Sequence, residues 1–118
     1  MSTCYLGFDI GGTKCAALVG KPAKDGFDIL GRIQIPTQTE NGWQDAISRL
    51  FAAGEQLLAS LPNETPVAAG ISCGGPLNSH TGVIQSPPNL PGWDNVPITR
   101  LVEERFGIPA YLQNDANA

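Results

Sequence analysis

Between two apolar stretches near the start of the chain lie eight residues, Gly7-Phe8-Asp9-Ile10-Gly11-Gly12-Thr13-Lys14. They call for a strand that closes on a carboxylate, a turn made on two glycines, and a second strand. Glycine lets a backbone turn tightly and brings bare N–H groups close to an anion such as phosphate. The same turn leaves Asp9 facing the metal that would accompany that phosphate. A strand–turn–strand unit of this kind commits the chain to a sheet and points to nucleotide chemistry.

Other glycine-rich schemes fit less well. Gly7 and Gly12 have the spacing of a Walker A loop, but Thr13-Lys14 reverses the required Lys-Ser/Thr order, and a strand follows where that loop needs a helix. The dinucleotide fingerprint, Gly-x-Gly-x-x-Gly opening a helix, is absent. What remains is a hairpin phosphate clamp whose donors are the turn amides and the Thr13 hydroxyl. Asp9 would sit near Mg²⁺, directly or through a water, because that hard cation takes oxygen ligands and keeps much of its hydration. The competing reading is a tight hairpin turn with no ligand at all.

Residues 3–10 and 14–20 read as the two strands of this hairpin. From Phe27 to Ile35 the pattern alternates, placing Phe27, Ile29, Ile33 and Ile35 on one face of a third, half-buried strand and so an antiparallel meander. The period then changes. Trp43, Ile47, Leu50, Phe51, Leu57, Leu58 and Leu61 form one helical stripe, with Asn41 as N-cap, Gln44 reaching back to it, and Pro62 as the stop. Gly54 weakens the middle of that helix by roughly 1 kcal/mol relative to Ala. Val67–Cys73 suits a buried parallel strand reached by the helical crossover. A long segment from Gly74 to Asn95 follows, with a small strand at Gly82–Gln85. Loops of such length tend to carry function. A second helix spans Pro97 to Phe106, and Ala110–Gln113 is a last short strand before Asn114-Asp115-Ala116-Asn117-Ala118, the opening of a further helix. The order implies a mixed sheet, a three-strand antiparallel meander followed by parallel strands, with helices on its faces.

With 118 residues, 42% hydrophobic and 15% charged, the chain can build one modest core but not two domains. Its formal charge of −4 disfavours nucleic acid and anionic membranes as partners. No stretch has bilayer-spanning length, and the start lacks the basic and apolar run of a secretory signal, so a cytoplasmic protein is expected. Cys4, Cys15 and Cys73 are an odd set without paired spacing and read as buried thiols. His80 falls in a polar turn. Trp93 either lines a pocket or packs at the end of a proline-rich loop. Glu103-Glu104-Arg105 forms the exposed side of the second helix.

Four segments, in order, carry a resemblance. They are the Asp9–Lys14 turn, Gly70-Ile71-Ser72-Cys73-Gly74-Gly75-Pro76, Ser86-Pro87-Pro88-Asn89-Leu90-Pro91-Gly92-Trp93, and the closing Asn114-Asp115-Ala116-Asn117-Ala118. Together they resemble the N-terminal lobe of the ROK family, repressors and bacterial sugar kinases of the actin-like, ribonuclease-H-like ATPase superfamily. The resemblance implies ATP-dependent phosphorylation of a hexose, glucose-like, at its terminal hydroxyl, with ATP and Mg²⁺ as cofactors and a homodimeric full-length protein. Residues Gly7, Phe8, Asp9, Ile10, Gly11, Gly12, Thr13 and Lys14 would form the first phosphate loop. Asp115 would be the catalytic base, Asn114 and Asn89 would bond sugar hydroxyls, and the backbone at Gly75 would approach the sugar. Many members have Ala-Pro-Gly-Pro where this chain has Cys73-Gly74-Gly75-Pro76, a looser loop. By the resemblance, a second lobe with its own phosphate loop, adenosine contacts and zinc motif would follow, and the 118 residues alone are expected not to turn over. A sugar-sensing regulator of the same family and a non-catalytic actin-like relative are the alternatives.

Overall fold

The computed structural model describes residues 2–74, 77–78, 80–85, 87 and 90–114, with 77, 78 and 114 described by backbone alone. The chain forms β1 (Ser2–Ile10), β2 (Lys14–Ala23), β3 (Gly26–Pro36), a 3-10 turn (Thr39–Asn41), α1 (Trp43–Ala59) and β4 (Glu64–Cys73). A short hairpin of β5 (Leu77–Asn78) and β6 (Val83–Ile84) follows, then α2 (Ile98–Phe106) and β7 (Ala110–Asn114). The main sheet has the order β3-β2-β1-β4-β7. Strands β1, β2 and β3 pair antiparallel, while β4 and β7 run parallel to β1, as the order of sequence elements implies.

Alternation along β1 sends Leu6, Phe8 and Ile10 into the core and leaves Asp9 exposed on the other face. The Phe8 ring meets Phe51 of α1 at 5.4 Å and Phe106 of α2 at 5.7 Å between centroids, so both helices cover the same face. Gly54 has its explanation here. A Cβ at that position would lie 3.2 Å from the Phe8 ring, so the helix gives up propensity to let the sheet approach. Arg105 ties the helices together by donating to both Glu55 carboxylate oxygens, at 3.0 and 2.7 Å, while its guanidinium lies 5.9 Å from the Phe51 ring centre. The long connection before α2 is anchored by Leu90, Trp93 and Val96, all fully buried, which gives Trp93 a packing role. All three cysteines are buried and outside any disulfide, and His80 is exposed in a turn.

Two local expectations are corrected. The simple alternation in β3 does not hold along its length, because pairing steps from Val19–Gly31 to Gly20–Ile29 and leaves Leu30 as the extra residue of a bulge. Ile33 and Ile35 pack on the core. Phe27 and Ile29 turn to the opposite face, 51% and 55% exposed, and the Phe27 ring lies 6.0 Å from that of Tyr5. At α1, the N-cap is Gly42, with φ of 88° and no side-chain cap bond. Asn41 belongs to the preceding 3-10 turn, where its amide donates to the Gln38 side chain at 3.3 Å. That extra turn displaces the helix start by one residue, so the pairing of Asn41 with Gln44 does not form a cap.

At the far end of the sheet, Glu64 accepts from Ser2 Oγ at 2.6 Å and faces Lys21 Nζ at 3.4 Å. The Ser2 hydroxyl first, and then Lys21, hold the Glu64 carboxyl below its ordinary range. Burial, with the nearby Glu64 charge adding to it, pushes the Cys4 thiol up.

Phe8→Ala, which removes the ring shared by both helices, is expected to cost about 3–5 kcal/mol, read as a lowered urea midpoint at unchanged slope. A carboxyl with a lowered folded-state pKa stabilises above its unfolded value and loses that contribution as pH falls through the folded one. Glu64→Gln should therefore lower stability at neutral pH and flatten the acid side of the stability–pH curve below about pH 4.3. Urea midpoints taken across pH 3–7 check this.

Candidate active site

The C-terminal ends of three adjacent parallel strands lie side by side. Ile10 of β1 pairs with Cys73 of β4, and Cys73 pairs with Asn114 of β7. One residue earlier, Asp9, Ser72 and Gln113 form the next row across the sheet, on the face the helices leave open. At a strand spacing of about 4.8 Å, β1 and β7 are roughly 10 Å apart. In open α/β sheets, ligands bind where the carboxyl ends of parallel strands meet a crevice. A shallow cavity of about 470 Å³ runs along this row, bordered by Asp9, Ser72, Tyr111 and Gln113.

Ser72 Oγ, on the neighbouring strand, donates to Asp9 Oδ1 of this exposed carboxylate at 3.4 Å. Phe8 and Ile10 face the core, so within the turn segment only their backbones can serve a ligand. Gly7 lies on the open face against the Leu18 side chain. Lys14 shares that face, since Asp9 pairs with Ala16 and alternation returns to the same side at Lys14.

The turn is closed by the Gly11 amide donating to the Lys14 carbonyl at 3.1 Å. A Cβ on Gly11 would stand 2.8 Å from that carbonyl oxygen, so a side chain there would force the backbone apart. Thr37, just beyond β3, donates its hydroxyl to the Gly11 carbonyl at 2.6 Å and its amide to the Thr13 carbonyl at 2.9 Å. Among the described residues, no backbone carbonyl accepts the Gly12 or Thr13 amide. Those two donors, with the Thr13 hydroxyl, are what the turn offers an anion.

Gly75, Asn89 and Asp115 lie outside the described residues, and Asn114 is placed by its backbone as the last residue of β7. Sequence reasoning brought Asp9 and the turn together and missed three side chains. Ser72 could have been found from its place between the buried Ile71 and Cys73, which puts it on the Asp9 face. Thr37, and Arg49 of α1, which donates to the Thr37 carbonyl at 2.7 Å, had no such signal.

Residues 5–118 match the sequence profile of the ROK family. The chain belongs to the ROK family. Glucokinase from Thermotoga maritima is 36% identical to it over 113 residues, covering 96% of this chain and 34% of that protein. The xylose repressor of Caldicellulosiruptor bescii is 34% identical over 71 residues, 58% of this chain and 18% of the repressor. Among solved structures, the ROK hexokinase from Thermus thermophilus superposes with a TM-score of 0.81 at 36% identity, over 97% of this chain and 36% of that one. A ROK glucokinase from Streptomyces griseus, in complex with glucose and AMPPNP, gives a TM-score of 0.72 at 31% identity, over 97% and 34%. This ROK chain thus has the actin-like lobe fold expected from its sequence, and it spans about a third of the length of the glucokinases it matches. No helix among the described residues is long and apolar enough to cross a membrane.

Gly11→Ala should destabilise this ROK lobe by about 1–3 kcal/mol, because the clash is with backbone and not with a movable side chain. Urea unfolding measures the loss, and amide exchange should quicken at Thr37, whose partner carbonyl lies in the distorted turn.

Proposed function

We propose that this chain is the N-terminal lobe, residues 1–118, of a sugar kinase that transfers the terminal phosphoryl group of ATP to the terminal hydroxyl of a glucose-like hexose. The observation that carries the reading is the shared end of β1, β4 and β7. Beside Asp9 it sets a glycine turn whose Gly12 and Thr13 amides meet no backbone carbonyl among the described residues, two strands from Asn114 at the end of β7. The Streptomyces griseus relative, whose crystals hold glucose and AMPPNP, supports it.

In this reading the segment Gly7–Lys14 receives the phosphates, with Gly12 and Thr13 amides and the Lys14 ammonium meeting their negative charge. Asp9 suits Mg²⁺. It is an exposed carboxylate beside one hydroxyl, and the described residues contain no cluster of three or more His, Cys, Asp or Glu. A single carboxylate plus phosphate oxygens and waters is how this cation is commonly held. When bound, it would neutralise charge building on the phosphate oxygens. Asn89 and Asn114 would orient sugar hydroxyls, with Gly75 admitting the ring close to the backbone. Asp115 would accept the proton of the attacking hydroxyl as its oxygen bonds to phosphorus and the bond to the ADP oxygen breaks. Catalysis of this kind is mostly positioning and charge stabilisation. A lobe alone cannot exclude water from both sides of the transferring group, so the 118 residues by themselves should not turn over.

The likeness to a xylose repressor keeps a sugar-sensing regulator as the second reading, on a match that covers less of the chain than the glucokinase one. ATP-dependent phosphorylation of glucose by the full-length protein separates the two. Asp115→Asn in that protein should lower kcat by about 10²–10⁴ while calorimetry finds glucose binding retained. Sugar binding without any phosphorylation, together with operator binding, would favour the regulator.

A further inference from the structure

We infer that Thr37, held from behind by Arg49, is a positioning residue that aims the amides of the Gly11–Thr13 turn at the nucleotide's terminal phosphates. The inference rests on the reading of that turn as the phosphate loop.

Thr37 is the one buried polar or charged residue among the described residues, with none of its surface exposed. Every polar group it has is committed. Its hydroxyl donates to the Gly11 carbonyl, its amide donates to the Thr13 carbonyl, and its own carbonyl accepts from Arg49 Nη2 at 2.7 Å. Cys15 Sγ packs 3.2 Å from the hydroxyl. Arg49 also donates to the Pro36 carbonyl at 2.6 Å and is itself fixed by Asp45, one helical turn earlier, at 2.9 Å. A rigid path therefore runs from α1 through Arg49 and Thr37 to the turn.

Two consequences follow from backbone geometry. A trans peptide points its C=O and the next residue's N–H in opposite directions. Drawing the Gly11 carbonyl inward onto Thr37 therefore turns the Gly12 amide outward. The second concerns Thr13. Pairs Cys15–Ile35 and Lys14–Pro36 extend in register to Thr13–Thr37. In an antiparallel hydrogen-bonded pair both residues exchange N–H···O bonds. Here only Thr37 donates to Thr13, and the Thr37 carbonyl that would receive the Thr13 amide is taken by Arg49. The ladder thus stops one bond short where the Thr37 carbonyl is drawn to Arg49, which leaves the Thr13 amide for a ligand.

The test uses the full-length protein and calorimetric titration with Mg-AMPPNP and, separately, glucose. Thr37→Val keeps the shape and removes the hydroxyl. It should weaken AMPPNP about tenfold with glucose affinity unchanged, and Thr37→Ser should restore most of the loss. Should Thr37→Val not fold, Arg49→Met, on a half-exposed helix position, carries the question, with AMPPNP weakened at least about threefold and glucose unchanged. The inference is overturned if either folded variant binds AMPPNP as the parent does, if glucose weakens in parallel, or if Ser fails as Val does. A parent protein that binds glucose but no AMPPNP would instead overturn the phosphate-loop reading itself, and the role of Thr37 with it.

Discussion

The two-residue period of β1 governs this structure. Leu6, Phe8 and Ile10 must point one way, and with Phe8 wedged between rings of both helices that way is fixed. Asp9 is consequently sent to the uncovered face, and a slip of one residue would bury the carboxylate and expose Phe8. The position of the site is thus enforced by core packing and not by any interaction within the site. Ser72 and Gln113 follow because β4 and β7 are locked to β1 in parallel register, with Ile71 and Leu112 in the core between them.

A second constraint is the connection geometry. Parallel neighbours need a crossover, and both crossovers here carry a helix, α1 before β4 and α2 before β7. Placing both on one face leaves the other uncovered and concentrates the aromatic residues Phe8, Phe51 and Phe106 in a single cluster. Gly54 lies where that cluster needs the helix backbone close, so a residue poor for the isolated helix suits the packed one.

Most of the architecture could be read from the chain because period and turn chemistry are local properties. The hairpin at Gly11-Gly12, the stripe of α1 and the ending of α2 at Gly107 each need only a few neighbouring residues to specify them. The bulge at Leu30 could not be read that way. It shifts the register of a pair, so the residue pattern of β3 alone offers an unbroken alternation that the partner strand does not accept. The Gly42 cap was likewise hidden by the 3-10 turn ahead of it. In the site, Asp9 was legible from its place before the glycines, whereas Thr37 and Arg49 were not. The roles proposed for them come from contacts 26 and 12 residues apart in sequence, between positions that read as an ordinary strand end and an exposed helix charge. The sugar-side residues expected at Gly75, Asn89 and Asp115 lie outside the described residues.

The hairpin that makes the turn bears on how such a lobe assembles. Strands β1 and β2 are joined by three residues, so they can zip together within about 1–10 μs, ahead of any contact that must wait for a long loop to close. Pairing of β1 with β4 spans some sixty residues and comes at a higher entropic cost. A nascent chain would therefore shape the Gly11–Thr13 corner early, while the strand leading to Asn114 joins last, so the end of the sheet proposed to meet phosphate would form before the end proposed to meet the sugar.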